Sequence, residues 1–563
     1  MDDLTLDSPV DLAEKATLAA LLRCCVREVA GPSGQVWPVP PYLLCRVAGT
    51  LLRVRAEGGL ALRFTGTPES LHHGAWRPLG LDLLIGLVEK ALGGPNDEFA
   101  GQVAGSREVI AMLLKEREAA EPPTDPWLAS EQSLLFGHPC HPSPKERGGP
   151  GWPAYAPETH ARFPLRMLAV RDDMVAAEGD VSAFDELGAA PDGYTLLPAH
   201  PWQLKLLAGD IAAPLADGRL IDLGDGPRAV SPTSSVRTVH EPGIGRCLKF
   251  SLDVRITNCV RKNAWYELAG AVELTRRLRP VFAELAAAFP GTSWLAEPGY
   301  RSISAGPRLL EGLGVMMRED PWTVSGPGVT PILAGALALP AYALRPAGAA
   351  VPEAVLAARR DDPAGWWAEY VDRVAPPVLD AYLRHGVVLE PHLQNVLVGV
   401  DAAGRPTTAI FRDLEGTKLI AGRHDLTGLP PRVADALRYD AARGWNRVAY
   451  CLMVNHLAEI AATVAESAGD GRETLLGELW RVARERLAAY RSPGPALPLA
   501  DLLAGVPLPA KANLSVRWSR AADRAAGYVP VANPFAGLPQ GAGTLSTRAI
   551  RPSTRSRSTG RTV

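Results

Sequence analysis

KFSLDVRITNCVRKN, residues Lys249 to Asn263, alternates strictly over its first half. Leu248, Phe250, Leu252, Val254 and Ile256 fall on one side of a two-residue period. Lys249, Ser251, Asp253, Arg255 and Thr257 fall on the other. Successive side chains of a strand point to opposite faces, so this is the pattern of a half-buried strand with its polar set outward. That polar set carries two cations on short spacing, and Arg261 and Lys262 follow as the strand runs out. One reading is an ordinary solvated face. The other is a concave positive surface that takes phosphates or carboxylates.

Working outward, 563 residues exceed one core and predict two to four domains. A hydrophobic fraction of 47% with 21% charged residues is ordinary for a globular protein. The net charge of −2 exerts no global pull on nucleic acid or an anionic membrane, so a positive site has to be local. Seven cysteines stand at 24, 25, 45, 140, 247, 259 and 451 with no CxxC pair, which predicts reduced thiols in a cytoplasmic protein. No secretory signal is visible at Met1-Asp2-Asp3, and the apolar run Val329 to Leu344 is too short and too proline-broken to be a membrane span.

Helical spacing appears over 11–30, 81–92 (ending at Gly93-Gly94) and 107–120, a mostly helical unit with some strand that exits at Glu121-Pro122-Pro123. Gly137 to Gly149, GHPCHPSPKERGG, is barred from regular structure by three prolines. It reads either as a surface turn or as a stiff loop presenting His138, His141, Lys145 and Arg147 to an anion. LLPAHPWQ, 196–203, is a second proline-stiffened loop, and SPTSSVRT, 231–238, offers hydroxyls and Arg237 either to phosphoryl oxygens or to a turn. This last loop directly precedes the Lys249 strand, which lets Arg237 and Lys249 converge.

A helix is predicted over 263–288, a linker over 340–352, a helix over Trp366 to His385 and a short strand over Val387 to Leu389. Strands Val396–Val400 and Thr408–Phe411 flank the turn 401–406, and folding that hairpin sets Asn395 opposite Arg412 and Asp413. Asn plus acid at a hairpin mouth suits Mg²⁺ beside phosphates, with Glu390, Gln394 and Glu415 as further oxygens. The competing reading is a polar loop around a core histidine. Helices near 445–467 and 473–490 complete a scaffold, and the Arg/Ser/Thr tail from 541 is predicted disordered.

GHPCHPSPKERGG, PAHPWQ, SPTSSVRT with KFSLDVRITNCVRKN, EPHLQN and FRDLEG stand in the order found in the IucA/IucC family, the NRPS-independent siderophore synthetases. The chain resembles that family over residues 137–416. After the hairpin acid it reads Leu414-Glu415-Gly416-Thr417, departing from the Phe-x-Gly-Asp of several relatives. The resemblance implies an α+β fold with cupped-hand architecture. A thumb would span 1–120, fingers 121–345 and a distantly kinase-like palm 346–540. ATP would lie between fingers and palm.

It further implies that Ser235, Arg237, Thr238, Lys249, Arg261, His392, Asn395 and Asp413 bind ATP. Of these, Lys249, Arg261, His392 and Arg237 would act catalytically. Glu390, Gln394, Asn395 and Asp413 would lie on the Mg²⁺ side, and His138, His141, Lys145, Arg147 and Arg261 would grip a carboxylic acid. The implied reaction adenylates citrate or a related acid and condenses it with an amine or hydroxyl, releasing AMP and pyrophosphate. The expected partners are those small molecules and a second copy in a homodimer, with neither nucleic acid nor membrane. No GxxxxGK[ST] loop is present, which disfavours P-loop chemistry. The alternatives are a kinase-like phosphotransferase releasing ADP and a non-catalytic binder of polyanions or ferric siderophore.

Overall fold

The Lys249 strand is Arg246–Phe250, shorter than its alternation predicts, in a computed structural model that describes residues 8–147, 151–256, 259–348, 350–491, 497–521 and 526–538. It lies inside an eight-stranded sheet with the order Val175–Gly179, Gly299–Ile303, Val315–Glu319, Arg246–Phe250, Thr238–Glu241, Leu220–Pro232, Phe163–Arg171, Tyr194–Ala199. Lys249 pairs with Thr238 on one side and Met316 on the other. Leu248, Phe250, Leu252 and Val254 enter the core with Trp202 and Val315, as alternation predicts. The first two residues of the polar set do not reach water: Lys249 is 3% exposed and Ser251 1%. The half-buried reading is thus corrected, because the segment carrying Asp413 covers the second face of the strand.

At Ser251 the ladder stops. The Ser251 hydroxyl donates to the Glu311 carbonyl and accepts the Asn263 N–H, while Leu252 N–H donates to the Arg261 carbonyl. A two-residue ladder, Arg255–Ile256 with Cys259–Val260, closes the excursion. Thr257 and Asn258 of the predicted strand, Gly148 and Gly149 of the predicted loop, and the tail 541–563 lie outside the described residues.

The N-terminal helices follow the sequence signals. Pro9–Cys24 starts on a capping box of Ser8 and Asp11 and continues as a π-helix, Cys25–Ala30. Leu81–Leu92 closes on Gly93 at φ 112°. The third helix, Asp97–Ala119, starts ten residues before its predicted position, because Asn96 caps it and Asp97 and Glu98 suit its first turn. Between the first two helices, residues 36–78 form a five-stranded antiparallel sheet. Leu21, Leu22, Leu52, Leu84 and Phe99 make its core, joined by Leu514 from far along the chain.

LLPAHPWQ is corrected from a loop to a strand end, Tyr194–Ala199, followed by the helix Pro201–Leu206, since Pro at the first helical position and His200 as cap begin a helix rather than bar one. The predicted linker 340–352 holds the helix Ala341–Ala347. The helix Pro363–Leu383 buries Trp366, Trp367 and Tyr370, and the hairpin strands Val396–Val400 and Pro406–Phe411 pair Val396 with Phe411. Thr292–Trp294 and Thr330–Leu333 flank that hairpin. This four-stranded sheet therefore takes two strands from each side of residue 345. The helical run Ala441–Ala489 is long and apolar enough to cross a membrane, yet its apolar stretch is buried in the protein core.

Candidate functional site

The hairpin and the large sheet meet in an ion network. Lys249 Nζ lies 2.7 Å from Asp413 Oδ1 and 3.0 Å from Glu415 Oε2. Arg237 Nη2 reaches the same Glu415 oxygen at 2.7 Å, and Arg318 Nη2 reaches Asp413 Oδ1 at 3.1 Å. Behind them the fully buried Glu297 takes Arg318 at 2.5 Å and stands 4.0 Å from Lys249. Arg237 also donates to Asn263 Oδ1 and, at 3.4 Å, to the Arg261 carbonyl, which places the predicted Arg261 at the edge of this network.

The electrostatics follow from burial against pairing. Burial alone would raise the Asp413 and Glu415 carboxyls, but Lys249 with Arg318 holds Asp413 well below its ordinary value, and Lys249 with Arg237 brings Glu415 to about 2. Burial opposes the charge on Lys249 as well, and Asp413, Glu415 and Glu297 outweigh it. The two acids are 30% and 33% exposed, whereas the Lys249 and Arg237 side chains are 3% and 7%. The acids thus stand at the mouth and the cations behind them. Asp413 holds its place with a left-handed backbone, φ 72°, which Asp tolerates better than most residues.

The rest of the predicted nucleotide set borders this mouth. The Ser235 carbonyl accepts the Thr238 N–H at 3.0 Å, and the Thr238 carbonyl accepts from Thr233, so SPTSSVRT is a closed turn. Asn395 sits opposite Arg412, as the hairpin predicts, with the Arg412 N–H on its carbonyl at 3.1 Å. Its side-chain Nδ2 is buried without a hydrogen-bond partner. Gln394 donates its amide to the Ser234 carbonyl. Glu390 gives its carboxylate to Arg447, and a Cβ at Gly416 would collide with that carboxylate. Among the described residues no group of three His, Cys, Asp or Glu is placed to hold a metal. Asp413 and Glu415 at the mouth, beside Asn395, fit a hard divalent ion of the kind that keeps waters and phosphate oxygens.

Four histidines share one local device. Nδ1 of His138, His141, His200 and His392 accepts the backbone N–H two residues on, from Cys140, Ser143, Trp202 and Gln394. In a neutral ring this leaves the proton on Nε2. Burial lowers His138 well below its ordinary value, lowers His392 and takes His200 to about 3. His200 and Gln203 are structural. The former caps a helix within an aromatic cluster, and the latter holds the Asp253 N–H and the Gly312 carbonyl.

The predicted carboxylate loop divides. His138 turns toward the second π-helix, Tyr450–Leu457, with Nε2 2.7 Å from the Asn455 amide. The first π-helix holds the same loop through Arg27 on Cys140 Sγ at 2.7 Å, in keeping with π-turns at functional sites. Lys145 and Arg147, read from the sequence as donors to a carboxylate, both pair with Glu158. Burial would raise Glu158, but Arg147 and Lys145 hold it at about 2. A carboxylate depressed in the folded state stabilises above its unfolded pKa and loses that contribution as pH falls. Glu158 is therefore expected to contribute about 3 kcal/mol above pH ~4.5, lost progressively toward pH ~2. Urea unfolding of Glu158→Gln across that range should show a flatter pH dependence than the parent.

Arg318, Glu297, Glu131 and Glu158 were not marked by any sequence motif. Arg318 shares a strand face with Met316, the partner of Lys249, through a register that only the folded sheet reveals.

The fold is that of solved siderophore synthetases. ATP-bound aerobactin synthetase IucA from Klebsiella pneumoniae matches with a TM-score of 0.75 over 93% of this chain and 99% of that one, at 23% identity. Petrobactin biosynthesis protein AsbB from Bacillus anthracis matches with a TM-score of 0.75 over 94% and 96%, at 16% identity. Residues 126–339 match the IucA / IucC family profile, so that part of the chain is similar to the family.

Residues 364–526 match the profile described as ferric iron reductase FhuF-like transporter. Cys451 is the one cysteine in that stretch, so no multi-thiolate cluster is built there. The rhizobactin siderophore biosynthesis protein RhbC of Rhizobium meliloti is 34% identical over 52% of this chain and 54% of its own length. The L-2,3-diaminopropanoate–citrate ligase of Staphylococcus aureus is 28% identical over 65% and 66%, and the spermidine–citrate ligase of Bacillus anthracis 28% over 73% and 73%. The matches thus span about half to two thirds of the first two relatives.

Proposed function

We propose that the protein is an ATP-dependent ligase of siderophore biosynthesis that joins citrate, or a closely related acid, to an amine or hydroxyl. The observation that carries this reading is the convergence of Lys249, Arg237 and Arg318 on Asp413 and Glu415. Relatives named as citrate ligases supply the substrate class. The same reading assigns a thumb to 1–120, fingers to 121–345 and a kinase-like palm to 346–540, cupped around the cleft, and places the enzyme in the cytoplasm with its ATP.

In the first step a carboxylate oxygen attacks the α-phosphorus, the bond to the β-phosphate bridge breaks and pyrophosphate leaves. Lys249, Arg237 and Arg261 meet the charge gathering on the phosphoryl oxygens, and Arg318 backs them through Asp413. The Asn395 amide and the His392 Nε2–H are further donors at the cleft. Asp413, Glu415, Asn395 and Gln394 would hold Mg²⁺, which supplies charge neutralisation to the polyphosphate. In the second step an amine nitrogen or hydroxyl oxygen attacks the acyl carbon, the acyl–oxygen bond to AMP breaks and the nucleophile loses a proton to water. His138, His141 and Arg261 border the acid, whereas Lys145 and Arg147 shape the loop through Glu158.

The test incubates the protein with ATP, Mg²⁺, hydroxylamine and candidate acids, citrate first, while following pyrophosphate, hydroxamate and the nucleotide product. Acid-dependent hydroxamate with AMP is expected. ADP in place of AMP would make the protein a phosphotransferase, and no turnover with any acid would sink the ligase reading.

A further inference from the structure

Glu131 ends the helix Pro126–Glu131 with no exposed surface, yet it carries a full carboxylate. It takes Arg412 in a two-pronged pair, Nη1 at 2.6 Å and Nη2 at 2.9 Å, and accepts the Trp127 indole N–H and the Ser234 backbone N–H. Arg412 directs its remaining donors to the Gln394 carbonyl at 2.7 and 3.0 Å and to the Ser234 hydroxyl at 3.1 Å. One buried pair therefore touches Ser234, three residues before Arg237, and Gln394, next to Asn395, while Arg412 itself precedes Asp413. These are the two banks of the cleft, one from each side of residue 345.

We propose that the Glu131–Arg412 pair is a positioning device that fixes the spacing of the 231–238 turn against the 390–395 loop and thereby sets nucleotide affinity. A planar guanidinium with five fixed donors suits this work, because it holds three partners in one plane as a lysine cannot. A buried ion pair is a poor source of stability when well-packed apolar groups of like size replace it, so its geometry is what the fold gains here. The inference rests on the reading that this cleft binds ATP, and its test separates the two.

The test compares the full chain with E131L/R412M, in which apolar side chains replace both partners, and with R412K. Thermal unfolding, ATP titration by calorimetry and hydrogen exchange over 231–238 and 390–396 are read together. The expected result is an unfolding temperature below that of the parent, because Trp127, Ser234 and Gln394 lose these partners, together with ATP affinity weakened at least tenfold and faster exchange in both loops. R412K should fall between the two, with KM for ATP raised more than kcat is lowered. Unchanged affinity and unchanged exchange would overturn the proposal. A parent that binds no ATP would remove the nucleotide reading, while the exchange rates still decide whether the pair holds the loops. Should E131L/R412M fail to fold, E131Q carries the same three measurements.

Discussion

Lys249→Ala is expected to lower acid-dependent pyrophosphate release by about two to three orders of magnitude, the loss typical of one preorganised transition-state donor. The ammonium is buried on a central strand beside Asp413 and Glu415, so the strand fixes its place before charge develops on a phosphoryl group. The fold should persist, because Arg237 and Arg318 still neutralise the two acids. Lys249→Arg should not restore the rate, since a planar fork does not occupy the place of a compact point charge. A rate within threefold of the parent would take Lys249 out of the mechanism.

Glu297→Gln is expected to destabilise the protein by about 3–5 kcal/mol, the penalty for leaving a buried cation with its pairing halved. Glu297 has no exposed surface, and both its oxygens are buried, one of them without a hydrogen-bond partner. Arg318 would retain only Asp413 among acids, and Lys249 would lose a carboxylate 4.0 Å away. Urea unfolding at neutral pH reads this directly. A loss under 1 kcal/mol would show that Asp413 alone neutralises Arg318. The Glu297 effect is on stability and the Lys249 effect on rate, so together they divide the network into a supporting rear and a reacting front.

Much of this centre was legible in the chain. Alternation put Leu248 to Val254 in a core, turn chemistry at 401–406 gave the hairpin that sets Asn395 against Arg412, and proximity gave the meeting of Arg237 with Lys249. Period two tells which residues of the Lys249 strand share a face but not what lies over it, so Lys249 and Ser251 are covered where alternation predicts water. The histidine–proline pairs looked like donors on a stiff loop, yet each histidine is first a turn that ties Nδ1 to its own backbone. Lys145 and Arg147 did not reveal Glu158, 13 and 11 residues on, because no regular helix or strand joins them to set a spacing; Arg412 did not reveal Glu131, 281 residues away, because an ion pair between distant segments leaves no spacing to read.

The placing of acids at the mouth and cations behind them has one more consequence. At rest the centre is its own counterion: three cations face three carboxylates, and a passing phosphate or chloride finds no surplus charge to hold it. A lone divalent ion fares no better, since taking Asp413 and Glu415 would strand the cations in a dry site. Only a visitor bringing both signs together, metal with polyphosphate, can exchange partners with the whole network at once. On the proposed ligase reading, the protein would thus respond to metal and polyphosphate arriving together and to neither alone.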